Sequence, residues 1–327
     1  MTTQQPRGAL KISTTALGAR KHSLLHQFNA FRRKHLTGYL FISPWLIGLI
    51  VFTLGPFIAS LYLSFTRYSI VAAPEWIGFA NYQKLFTDDP YFYKTLFNTL
   101  YYVVFHVPGV QIISLILALI LAQDLRGIAI YRTVFYLPTV TSGVATAILW
   151  QWIFNSKFGI INLALAKIGI QGPGWLSTQE WAMPALILMS LWGVGGPMVI
   201  YLAAIKNVPI SLYEAAEIDG AGAWRRFFNI TLPLVTASIF YNVTMGIIGS
   251  FQVFTQAYVI TQGGPADATL FYVLYLYNIA FENLQMGYAS ALAWILFLII
   301  LFFTVAQLMM SKHWVYYESV REEKGVV

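Results

Sequence analysis

The chain has 327 residues, 58% hydrophobic and only 10% charged, with 20 Lys and Arg against 13 Asp and Glu and a mean hydropathy of +0.64. Ordinary soluble domains carry about 25% charged residues, so this composition excludes one and indicates a polytopic membrane protein. With no cysteine, disulfides, thiolate metal sites and thiol chemistry are excluded together.

Residues 1–36 form a basic arm in which Arg7, Lys11, Arg20, Lys21, Arg32, Arg33 and Lys34 stand with no acidic residue among them. A basic segment abutting an apolar span is explained by topology and anionic lipid, not by nucleic acid. Six runs reach the length of about 20 apolar residues that a span needs: 37–64, 96–122, 133–154, 182–205, 232–260 and 287–310. The first is about twice the length of a signal-peptide core and is followed by no convincing small-residue cleavage site, so a cleavable leader is not expected. A seventh run, 270–281, is too short to span and rich in Tyr, which predicts an interfacial helix. The expected fold is therefore all-α, with six transmembrane helices over 37–311 and a tail of 312–327. With the N-terminus inside, 15 Lys and Arg fall on the inner segments. Only Arg67, Lys84, Lys94, Lys157 and Lys167 fall on the outer ones. The positive-inside rule then places both termini, and the polar loop of 206–231, in the cytoplasm.

No Asp, Glu, Lys or Arg lies within the six spans. Ion-coupled carriers need titratable or ion-binding groups at depth, so proton-coupled transport is disfavoured. His106, just before Pro108, reads as a packed or cavity-facing histidine rather than a proton relay. There is no phosphate-binding glycine loop ahead of a Lys, no H-E-x-x-H, no G-x-S-x-G and no dinucleotide fingerprint. No catalytic residue and no metal ligand set is expected, and the chain cannot hydrolyse ATP by itself.

Between the fourth and fifth runs, residues 211–233 read S-L-Y-E-A-A-E-I-D-G-A-G-A-W-R-R-F-F-N-I-T-L-P. Pro209 sets the approach, and Ser211 with Glu214 forms an S-x-x-E capping box, which predicts a short helix from Leu212. Ala215 and Ala216 offer a small packing face, and Asp219-Gly220 ends the helix at a turn. A second piece follows, with Trp224, Phe227 and Phe228 apolar and Arg225 and Arg226 facing water or headgroups. Thr231 is expected to cap the next span ahead of Pro233.

Glu214-Ala215-Ala216, Asp219-Gly220-Ala221 and Ile230-Thr231-Leu232-Pro233 resemble the signature loop of the permease subunits of binding-protein-dependent ABC importers. Further stretches resemble the carbohydrate-uptake branch, the maltose and glycerol-3-phosphate type. They are Phe79 to Tyr82, Asn98-Thr99-Leu100, Tyr136-Leu137-Pro138, Gly159 to Asn162, Thr261 to Pro265 and Met286 to Ala291, and the resemblance runs from about 37 to 311. It implies a coupling helix seated on a separate homodimeric ATPase through Glu214, Ala215, Ala216, Asp219, Gly220 and Gly222. No cofactor is bound by this chain; ATP and Mg belong to that ATPase. The implied partners are a second, homologous permease subunit, an extracytoplasmic solute-binding protein and the lipid bilayer of a bacterial or archaeal plasma membrane.

By register within that family, substrate contacts fall at Thr139 and Gly143 in the third span and at Met189, Trp192, Gly193 and Gly196 in the fourth. In the fifth they fall at Gly246, Gly249, Ser250 and Val253, spaced i, i+3, i+4, i+7 on one helical face that Asn242 extends. Trp192, Ser250 and Asn242 can supply the aromatic platform and hydrogen-bonding groups a sugar needs. Several of these positions are Gly where the maltose type carries larger side chains, and small residues also serve helix packing. The expected function is import of a sugar, oligosaccharide or polyol. The alternatives are import of a glycerophosphodiester or other small polar solute, or a carrier working alone.

Overall fold

The computed structural model describes residues 38–123 and 126–316. The basic arm of 1–36 and the end of the tail, 317–327, lie outside the described residues. The chain divides after Tyr62 into two units. The first contains most of α1 (Gly38–Ser64), 27 residues with mean hydropathy 2.2. A π-turn, Ile50–Leu54, sits before Gly55-Pro56, and the Gly55 N–H donates to the Ile50 carbonyl. Pro56 has no N–H and crowds the carbonyl four residues back, so the helix widens there.

The second unit opens with a short hairpin, β1 (Thr66–Arg67) and β2 (Glu75–Trp76), paired antiparallel with Thr66 opposite Trp76. Then come α2 (Ala80–Thr87) and α3 (Pro90–Leu121). Three bent helix pairs follow: α4 (Ile128–Val140) with α5 (Gly143–Ile153), then, past α6 (Ile160–Lys167), α7 (Gln179–Gly193) with α8 (Gly195–Lys206). After α9 (Ile210–Ile218), the third pair is α10 (Ala223–Leu234) with α11 (Thr236–Phe251). The unit closes with α12 (Tyr272–Tyr277) and α13 (Met286–Trp314). Helices α1, α3 and α13 are each long and apolar enough to cross a membrane, and each bent pair makes a further candidate, six among the described residues.

Three expected spans are thus broken rather than straight, with bends of 102° at α4/α5, 44° at α7/α8 and 65° at α10/α11. At the sharpest bend Pro138 removes a backbone donor, the Thr139 and Thr141 hydroxyls donate to the Tyr136 and Pro138 carbonyls, and Ser142 is extended. The fifth expected span, 232–260, stops at Phe251. Gln252 and Val253 leave the helix before a π-turn at Ala257–Thr261.

Other expectations change in detail. Helix α9 starts at Ile210 behind Pro209, and no side chain caps it. Ser211 therefore sits inside the first turn rather than capping from outside. Thr231 is helical within α10 and makes no cap; its hydroxyl pairs with that of Tyr213 at 2.8 Å. The 270–281 run does form a short helix, but Phe271, Tyr272 and Leu274 are buried in the core rather than spread on an interface.

Two apolar clusters hold the unit together. The larger packs Phe92, Tyr102, Leu186, Phe251, Phe271, Tyr272 and Leu292, and the smaller packs Ala118, Leu121, Met198, Tyr201 and Leu202 near the other end of α3. Asp89 starts α3 by accepting from the Tyr91 and Phe92 N–H groups at 2.9 and 3.2 Å, with Pro90 in the first turn. The middle of α3, between the clusters, carries the polar groups of the site.

Candidate functional site

A cavity of about 570 Å³ opens between the middle of α3, the α7/α8 bend and α11. The spacing of α3 turns Tyr102, His106 and Val110 into it, four residues apart. The bend itself is set by Gly195-Gly196-Pro197. A Cβ on Gly195 would lie 2.3 Å from the Phe135 carbonyl oxygen, so only glycine admits α4 at this distance. Two side chains from other helices add hydrogen bonds to backbone carbonyls at this bend. The Ser114 hydroxyl donates to the Val194 carbonyl at 2.8 Å, and the Asn242 amide donates to that of Pro197 at 3.4 Å.

The lining is polar but uncharged. His106 Nδ1 lies 2.6 Å from Ser190 Oγ, whose one proton goes to the Ile187 carbonyl. The Tyr102 ring stacks on the imidazole at 4.9 Å. Deeper, the Tyr201 hydroxyl donates to Gln111 Oε1 at 2.6 Å, and Gln111 Nε2 donates to the Asn242 carbonyl at 3.2 Å.

Of the residues expected along a substrate path, Gly193, Gly196, Asn242, Gly246, Gly249, Ser250 and Val253 line this one cavity. Val253 reaches it from beyond the end of α11, so the expected helical face is four residues rather than five. Gly246 is a packing glycine, since a Cβ there would meet Gln111 Nε2 at 3.2 Å, whereas a Cβ on Gly249 would meet nothing within 4 Å. Met189 is buried in the larger core cluster. Trp192, 45% exposed, lines a separate apolar cavity of about 600 Å³ with Leu117, Phe135 and Leu149, and packs edge-on against Trp150. Thr139 and Gly143 sit at the α4/α5 bend. Their neighbours across the space are Gly196 and Thr255, both of which line the main cavity.

His106 is cavity-facing, one of the two readings the sequence allows. Tyr102, Gln111 and Ser190 were not singled out from the sequence. The available signal was a polar or aromatic group recurring every four or five residues in an otherwise aliphatic span.

The loop of 206–231 has a different character. Glu214 and Ala215 are exposed and Ala216 half-buried on α9. Gly220 closes the helix at φ +73°, a conformation that costs glycine little. Two side-chain ties fold the loop back on itself: Tyr213 to Thr231, and Arg226 to Glu217 at 3.7 Å. Ile218 and Trp224 stand 88% and 76% exposed.

Residues 94–315 match the family described as the binding-protein-dependent transport system inner membrane component. The chain belongs to this family. It is 46% identical over 297 residues to the "Probable ABC transporter permease protein YesP" of Bacillus subtilis, covering 90% of this chain and 96% of that one. It is 36% identical to the "Lactose transport system permease protein LacF" of Rhizobium radiobacter, over 81% and 90% of the two chains. Among solved structures, a bacterial ABC transporter involved in import of the acidic polysaccharide alginate matches with TM-score 0.76 at 23% identity, over 88% and 98%. The fold is that of an ABC importer permease, a multi-pass inner-membrane transport component and not an enzyme. The resemblance on the Glu214 loop and the order of the six spans agree with this membership.

Proposed function

We propose that this permease imports a neutral carbohydrate, delivered by an extracytoplasmic solute-binding protein, through the cavity around His106, Asn242 and Gly249. One observation carries the reading: a cavity of about 570 Å³ lined by amide, hydroxyl, imidazole and aromatic groups, with no Asp, Glu, Lys or Arg in its lining. Such a lining offers a polyhydroxylated solute donors, acceptors and apolar faces without any charge to desolvate. The sugar named for the LacF relative points the same way. A phosphodiester would enter the same cavity with no cation to meet it, so the carbohydrate is favoured.

A separate ATPase supplies the energy, with its ATP and Mg, and seats the Glu214, Ala215, Ala216, Asp219, Gly220 and Gly222 face. A second permease subunit completes the path. The Glu214 loop and both termini are cytoplasmic, and the Asp89 end of the bundle faces outward, as the distribution of basic residues supports. Labelling is the check on orientation: a tag after Gly222 stays protected from outside reagents and a tag after Asp267 is reached.

The test of the path is Gly249→Phe, which places a ring in open cavity space. Uptake of labelled neutral sugar should fall about tenfold or more, as expected when a ligand site is filled, with the amount of assembled complex unchanged. Parental uptake through that variant would remove the cavity from the path.

A further inference from the structure

A second, smaller recess lies above the main cavity between the same two helices. It holds about 240 Å³ and is lined by Lys94, Phe97, Asn98 and Tyr101 of α3, by Gln179 and Glu180 of α7, and by nearby Met183 and Ala268. Phe97 is 67% exposed and Tyr101 37%, their rings 6.5 Å apart, and Tyr101 is followed one turn deeper by Phe105 at 4.6 Å. Aromatic rings spaced i, i+4, i+8 make a continuous ladder down one helix.

The polar groups are partly committed and partly free. Lys94 Nζ donates to the Ala266 carbonyl at 2.9 Å and pairs with Asp267 at 3.2 Å. The Asn98 amide donates to the Asp267 and Leu270 carbonyls at 2.9 and 3.1 Å. These bonds fix the wall and neutralise its cation. Gln179 and Glu180 are exposed, and the Glu180 carboxylate has no ion pair among the described residues. What remains is a rigid aromatic face opposite an amide and a carboxylate. Hydroxyl groups donate to a free carboxylate, and sugar C–H faces stack on rings, whereas an anionic solute is repelled.

We infer that this recess is an outer sugar-binding subsite, holding one ring of a neutral oligosaccharide whose next rings reach toward the His106 cavity. The inference rests on the carbohydrate reading above. From Asn98 to His106 is eight residues of one helix, about 12 Å, the reach of a short oligosaccharide. The main cavity begins on α7 at Ser190, ten residues or about 15 Å below Glu180. The two sites are therefore both walled by α3 and α7, the recess nearer the Asp89 end. A free monosaccharide occupies only one of them at a time, so the outer subsite favours longer chains.

The test uses the complete transport system in proteoliposomes, with its binding protein saturated, and a panel of labelled neutral mono- to tetrasaccharides and their uronate counterparts. Phe97→Ala and Tyr101→Ala should lower import of the tri- and tetrasaccharides about fivefold, the scale of one lost aromatic contact, and leave the monosaccharide rate unchanged. Phe97→Trp should restore it, and the uronates should be excluded by parent and variants alike. Equal import of all lengths by parent and variants overturns the subsite while leaving the carbohydrate reading intact. Failure of the parent protein on every neutral sugar overturns that reading and the subsite with it. Poor recovery of the Phe97→Ala complex with unchanged import per complex assigns the face to lipid or subunit packing and overturns the subsite.

Discussion

The two ends of the second unit are built on opposite terms. At the Asp89 end the loops are pinned to helices by buried polar contacts. The Asp89 carboxylate, besides capping α3, accepts from the hydroxyl of Tyr275 at 2.7 Å and from that of Tyr288. Burial first, and the Asp89 hydrogen bond second, push the Tyr275 hydroxyl above its usual range and keep it a neutral donor. Asn81 donates to the Ser64 and Thr66 carbonyls at 2.8 and 2.9 Å, and the Tyr272 N–H donates to Thr99 at 3.0 Å. At the Glu214 end, the side chains of α9 are tied among the described residues to Thr231 and Arg226, and Ile218 and Glu214 are exposed. The Asp89 end thus holds its own loops in place, whereas an exposed apolar and acidic helix with two side-chain ties among the described residues is arranged for contact with something else.

That contrast can be broken from either side. The largest expected loss of stability is Asp89→Ala, which removes the α3 cap and strands two tyrosine hydroxyls. We expect about 3 kcal/mol, read as a lower melting midpoint of the purified protein. Gly287→Ala comes next, because its Cβ would fall 2.0 Å from the Thr66 carbonyl oxygen. The α13 start must shift away from β1, at about 2 kcal/mol. Lys94→Ala, which removes a half-exposed ion pair, should cost under about 1 kcal/mol. At the other end Glu214→Lys should change the melting midpoint by no more than about 0.5 kcal/mol equivalent. A large loss there would mean that the loop is structural and the contrast false.

Much of this was legible in the sequence because hydropathy and charge report long-range physics directly: each of the six apolar runs holds a long helix or part of a bent helix pair, and the Gly220 turn of the polar island is present, although the fifth run leaves the helix after Phe251. The bends were not legible. Pro138 and Pro197 were visible, but whether a proline sits in a first turn or breaks a span depends on what packs around it: the local Thr139 and Thr141 hydroxyls at Pro138, and Ser114 and Asn242 from other helices beside Pro197. The same reason hid Gln111, whose role follows from Tyr201, 90 residues away. Trp192 shows the reverse error. Register placed it beside Gly193, but the short 3₁₀ turn at Leu191–Gly193 sends it to the apolar cavity instead.

The central claim is that the cavity carries the solute while the Glu214 loop couples it to ATP hydrolysis on a partner. The direct measurement is the ratio of solute imported to ATP hydrolysed by the Glu214→Lys complex in proteoliposomes, beside its melting midpoint. A folded, inserted permease whose import falls about tenfold or more, as expected from a lost interface hot spot, and whose ratio collapses is the predicted result. Import at the parental rate, with the parental ratio, would contradict it.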